Sequence, residues 1–126
     1  MNTYDIHVSP RVEREIQESR SFQQEVLEAV CRFLRGDWGS VTERMQQDND
    51  EIFLTNQPTR PSYSIFGILR EPVYEIFACY RTENKGVIWI IRDVRCENGA
   101  VPQLAVLHPL EYGHWNGPYI IPAAAV

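Results

Sequence analysis

A chain of 126 residues with 44% hydrophobic and 23% charged side chains has the composition of one globular domain with a buried core. Its net charge of −5 argues against direct nucleic-acid binding by phosphate neutralisation, which needs a basic face, and favours a protein partner with a basic surface, or no charged partner at all. No apolar run reaches the ~18 residues of a transmembrane helix, so no membrane association is expected.

Tyr4, Ile6 and Val8 alternate with polar residues and predict a first strand. Ser9-Pro10 then predicts a helix start, serine as N-cap and proline at the first helical position. Ser19-Arg-Ser21 breaks that helix, and Ser21 with Gln24 has the spacing of a capping box for a second one. Behind it Phe22, Val26, Ala29, Val30, Phe33 and Leu34 form one stripe of a 3.6-residue period. Gly36 is placed to end the helix, Asp37 to close the turn, Trp38 to fold back on the stripe and Gly39 to allow a second bend. Ser40 and Glu43 predict another capping box and a third helix, with Asp48-Asn-Asp50 falling partly on its apolar edge. The sequence GDWG is thus a tight hinge with a tryptophan anchor, or alternatively a binding loop centred on Trp38.

After the proline-containing loop Thr55–Ser62 the period changes towards two. Strands are predicted over Tyr63–Arg70, with Gly67 as a bulge, and over Val73–Arg81, Val87–Val94 and Gln103–His108. Val87–Val94, the most apolar of these runs, is expected at the centre of the sheet with both faces covered. The fold class is α+β: an N-terminal strand and two or three helices on one face of a curved antiparallel sheet of about four to five strands. Residues 1–112 are read as this single domain and residues 113–126 as an apolar tail. The tail either packs over a sheet edge or forms an interface, such as a homodimer, with Trp115 and Tyr119 as anchors.

A pattern runs through these elements: Gly36-Asp37-Trp38-Gly39, Asn49-Asp50, Ala78-Cys79-Tyr80, Ile88-Trp89-Ile90-Ile91 and Leu107-His-Pro-Leu-Glu-Tyr112. It resembles a family of small plasmid- or phage-associated bacterial proteins that reads G-D-W-G, N-D, S-x-Y, W-I-I-T-E and L-L-P-x-E-Y. The resemblance spans roughly residues 33–112 and implies a mobile-element setting rather than a chemistry. The chain departs from it by an insertion from about Phe53 to Val73, and by Arg92-Asp93 where the family has T-E. A second resemblance, in element order only, is to RelE/ParE-like toxins, whose opening strand and helix YDIHVSPRVEREI is similar to.

Cys31, Cys79 and Cys96 show no C-x-x-C spacing and no preceding signal peptide, which predicts reduced thiols in a cytoplasmic protein. Cys31 and Cys79 lie in apolar runs and read as core residues. His7, His108 and His114 are dispersed without metal-ligand spacing, so no metal is expected, and no motif calls for a cofactor. Of 12 cationic residues only Lys85 is a lysine; a toxin-like ribonuclease would draw on Arg81 and Arg92, which flank one hairpin, with His108 and Tyr112. The preferred function is non-catalytic binding of a host or defence protein, in the manner of anti-CRISPR or anti-restriction inhibitors. Its contacts would come from Trp38, Asp48 and Asp50 together with Trp115 and Tyr119.

Overall fold

The computed structural model describes residues 4–63, 65–97 and 101–114. Strand β1 (Asp5–Val8) leads into helix α1 (Pro10–Glu18), where the Ser9 hydroxyl accepts from the Val12 N–H at 3.0 Å and Pro10 fills a position needing no donor. Ser19 then does two jobs. Its extended backbone (φ −143°, ψ 114°) ends α1 by donating to the Glu15 carbonyl, and its hydroxyl caps helix α2 (Arg20–Leu34) through the Phe22 N–H at 3.2 Å. The cap is therefore Ser19 and not Ser21, whose hydroxyl only hydrogen-bonds that of Ser19. The predicted stripe is the buried one: Phe22, Val26, Ala29, Val30 and Phe33 are each at most 5% exposed. Gly36, at φ +82°, receives the chain in the left-handed conformation as α2 ends. Helix α3 (Glu43–Thr55) starts at Thr42, whose hydroxyl accepts from the Met45 N–H, because Ser40 is tied instead to the sheet.

The main sheet has the order β1-β6-β5-β4, built from β4 (Glu75–Arg81), β5 (Val87–Asp93) and β6 (Gln103–Leu107). The last three form an antiparallel meander, but β1 runs parallel to β6 with Ile6 opposite Leu104. The sheet is thus mixed rather than antiparallel: the helices carry the chain from β1 back to the sheet, so β1 can enter alongside β6 in the same direction. Run 63–70 is not a strand of this sheet. It forms a separate hairpin of β2 (Ser62–Tyr63) and β3 (Leu69–Arg70), with Gly67 at φ +77° in the turn. Its apolar residues fall on both parities, so no register lets one sheet face bury them all.

Alternation along β4, β5 and β6 sorts the core. Ile76, Ala78, Tyr80, Ile88, Ile90, Leu104 and Val106 face the helices and join Val12, Phe22, Phe33 and Ile52 in one cluster. Phe77, Trp89, Ile91, Ala105 and Leu107 face the other way, where Tyr112 of the 3-10 turn Pro109–His114 covers them. Helices on one face and β5 inside with both faces covered are the expected α+β arrangement. Cys31 departs from expectation: it lies on the outer side of α2 and is exposed, while Cys79 is half-buried. Among the described residues no helix is long and apolar enough to cross a membrane.

Candidate functional site

The GDWG hinge and the Asn49-Asp50 pair meet at the outer edge of β4. The Asn49 carboxamide acts like a neighbouring strand: Nδ2 donates to the Phe77 carbonyl at 2.9 Å, and Oδ1 accepts from the Phe77 N–H at 3.1 Å. One residue pair further along, Cys79 N–H donates to the Trp38 carbonyl at 3.0 Å and Ser40 N–H donates to the Cys79 carbonyl at 2.8 Å. Two consecutive outward-facing positions of an edge strand are thereby satisfied within the chain, which blunts that edge against foreign strands. A Cβ on Gly39 would stand 2.0 Å from the Cys79 carbonyl oxygen, so only glycine allows the hinge to lie this close.

Trp38 locks the hinge from inside. It is 3% exposed, meets Phe33 and Phe53 edge-on at centroid distances of 5.2 and 5.4 Å, and donates from Nε1 to Asp50 Oδ1 at 2.8 Å. Asp37 accepts from the Gly39 N–H and from Arg32, and that guanidinium's hydrogen bond holds its carboxyl below the ordinary 3.8. Tyr80 donates its hydroxyl to the Asp37 carbonyl at 2.7 Å. Of the predicted contact residues, Trp38 and Asp50 therefore bond to each other, and Asp48 pairs with Arg70 at 2.5 Å. Trp115 and Tyr119 lie outside the described residues, as does the tail from Trp115 onward.

The cationic candidates are spread out. Arg92 is 6% exposed and donates to both carboxylate oxygens of Glu97, at 2.7 and 3.0 Å, and to Asn56. Arg81 is exposed at the opposite end of the hairpin: Arg92 stands opposite Ile76 and Arg81 opposite Val87, a separation along the strand of about 17 Å at 3.4 Å per residue. Flanking one hairpin in sequence thus does not bring them together. Arg95 pairs with Asp93 at 2.7 Å and lies over the Tyr74 ring. His108 points to the helix side and Tyr112 to the other face, where it packs on Trp89 at 5.8 Å. Among the described residues no group of three His, Cys, Asp or Glu side chains is arranged to hold a metal ion.

His108 belongs to a buried network joining the sheet to α1. Nε2 meets Glu15 Oε1 at 2.5 Å, Nδ1 lies 3.3 Å from the Val87 carbonyl, and the ring stacks on Phe22. Both ring nitrogens therefore face oxygen atoms, one of a carboxylate and one of a backbone carbonyl, which fixes the orientation of the ring. Next to it Glu111 Oε1 accepts from the Ser9 hydroxyl at 2.6 Å and from the His108 N–H at 2.9 Å. Burial pushes the Glu15 carboxyl up, but His108 and Arg11 together outweigh it and leave it below the ordinary 4.5. A carboxyl depressed by folding stabilises the fold above its unfolded value and loses that contribution as pH falls through the folded one. Glu15→Gln is accordingly expected to lower stability by about 1–3 kcal/mol at pH 7. The deficit should shrink in unfolding titrations below about pH 4.5, the ordinary value from which Glu15 is displaced; a deficit independent of pH would contradict the ion pair.

Glu75 and Asp93 stand opposite each other across β4 and β5. Arg95 binds Asp93, whereas Glu75 Oε2 is buried without a hydrogen-bond partner among the described residues. Burial first, and the Asp93 charge second, raise the Glu75 carboxyl above its ordinary 4.5. The sign is opposite to that of Glu15: the raised value favours the fold in acid and opposes it once Glu75 ionises.

What remains on the surface is the β2–β3 hairpin. Tyr63 is 74% exposed, Ile65 94%, Phe66 81% and Ile68 66%. Sequence reasoning placed this run in the sheet and so missed it. The available signal was a dense apolar run of mixed parity between Pro61 and Pro72, with no alternation to define a buried face. A comparison with known protein families, curated proteins and solved structures finds no match to this chain.

Proposed function

We propose that the protein is a non-catalytic interaction protein that grips another protein through the exposed β2–β3 hairpin. The carrying observation is the cluster of large apolar side chains at Tyr63, Ile65, Phe66 and Ile68, all at least 66% exposed on one short turn. Contiguous exposed apolar side chains on a small domain mark a binding surface, and aromatic residues among them are the usual anchors. The net charge of −5 supports a partner whose apolar groove is bordered by basic groups. In the mobile-element setting that the GDWG pattern implies, such a partner is a host or defence protein and binding acts as inhibition. The toxin-like alternative draws on element order, and its four residues do not converge on one site: Arg81 and His108 both adjoin Val87, but Arg92 lies at the opposite hairpin end and Tyr112 on the sheet face opposite His108.

Affinity capture with the full chain and with Ile65→Ser/Phe66→Ser tests this reading. Both positions are exposed, so the thermal midpoint should move by no more than about 2 °C. Loss of two anchors should weaken a direct complex with the captured partner by about 100-fold or more. A partner bound equally well by the double variant would refute the hairpin as the contact.

A further inference from the structure

The two edges of the main sheet are treated differently. On β4, Phe77 and Cys79 have their outward groups taken by Asn49, Trp38 and Ser40. On β1, no described residue pairs with the outer side. Asp5 N–H donates inward to the Pro102 carbonyl and Ser9 N–H to that of Val106, so the odd positions face β6. The backbone groups of Ile6, and of Tyr4 and Val8 on either side, are therefore directed away from the sheet. Ile6 itself is 45% exposed, although its neighbour across the ladder, Leu104, is fully buried.

We propose that this edge pairs with the same edge of a second copy, antiparallel and centred on Ile6, joining two sheets across a two-fold axis. Three features of Tyr4–Val8 select a second copy as occupant. An antiparallel two-fold at Ile6 makes Ile6 opposite Ile6 and Tyr4 opposite Val8 the hydrogen-bonded pairs, the very positions whose groups point outward. The same register sets Asp5 opposite His7 of the second copy, twice, at the close non-hydrogen-bonded spacing of about 4.5 Å between Cα atoms. An acid thus faces a basic side chain in both symmetry-related positions, with Asp5 exposed and His7 half-buried in the single chain. Val8 packs into the core on the helix side, so Ile6 shares that side, and its exposed area would be covered by its symmetry mate. This interface is distinct from the hairpin and does not depend on it.

Sedimentation of the full chain up to about 1 mM, where even a weak complex is populated, tests the proposal. A concentration-dependent dimer is expected. Ile6→Pro deletes an outward N–H that the internal ladder does not use, and should abolish the dimer while sparing the monomer fold. Asp5→Lys, a surface change, should weaken dimerisation about 5–10-fold by removing the acid that faces His7, and Asp5→Lys/His7→Asp should restore it by returning an acid opposite a base. A chain that remains monomeric throughout overturns the proposal, as does a dimer indifferent to Ile6→Pro. Failure of the double variant to recover overturns the Ile6-centred register.

Discussion

Gly39→Ala is expected to destabilise the protein by about 4–6 kcal/mol, a large share of the roughly 5–15 kcal/mol by which a domain is stable. The new Cβ would lie 2.0 Å from the Cys79 carbonyl oxygen and 3.0 Å from the carbonyl carbon. Backbone, not a flexible side-chain end, is in the way, so the hinge must withdraw from β4. Withdrawal breaks the Ser40-to-Cys79 and Cys79-to-Trp38 hydrogen bonds and loosens the seat of Trp38 between Phe33 and Phe53. Each edge group left unpaired costs about 1–3 kcal/mol, and a left-handed residue with a Cβ adds about 1–2 kcal/mol. Gly86→Ala provides the contrast: φ is +74°, close to the +72° of Gly39, but beyond its own chain neighbours nothing lies within 4 Å of the added carbon. It should cost only about 1–2 kcal/mol. Equal losses for the two variants in urea titrations would show that backbone conformation, and not contact with the sheet edge, explains the glycine.

Asn49→Ala should cost about 3 kcal/mol and lower the thermal midpoint by about 10 °C. Asn49 is 2% exposed and supplies both a donor and an acceptor to a single residue of the edge strand. Removing the carboxamide strands the Phe77 N–H and carbonyl together. Asn49→Leu restores the lost volume but neither hydrogen bond, and should be no more stable than Asn49→Ala. Recovery by leucine would mean that packing rather than edge pairing is what the site contributes. Both substitutions also open β4, so solutions of either variant should aggregate more readily than the parent near the midpoint.

Local chemistry made much of the architecture readable. The stripe on α2 follows from apolar residues repeating with the helix period, and its burial needs no knowledge of the partner surface. Gly36 after Leu34 and Arg35, Ser9 before Pro10, and the alternation in β4 and β5 likewise act through neighbours a few residues away. The caps at Ser19 and Thr42 show the limit. Competing Ser and Thr residues stood within two positions, and a contact from Ser40 to Cys79, 39 residues away, decided the second case.

The role of GDWG and Asn49-Asp50 shows it more sharply. Sequence identified the hinge and its tryptophan anchor, because glycine, aspartate and tryptophan carry strong local preferences. That Asn49 completes the edge of β4 depends on where β4 lies, 28 residues on, and no periodicity encodes that. The hairpin was lost for the converse reason: an apolar run looks like a core strand until the finished sheet has no place left for it. Composition and period thus determined the helices, the strands and the α+β class, since these arise from forces along the chain. Only the tertiary structure decided which edge is sealed, which carboxylates are buried and which apolar residues stay in water, because each depends on what the rest of the chain has already occupied.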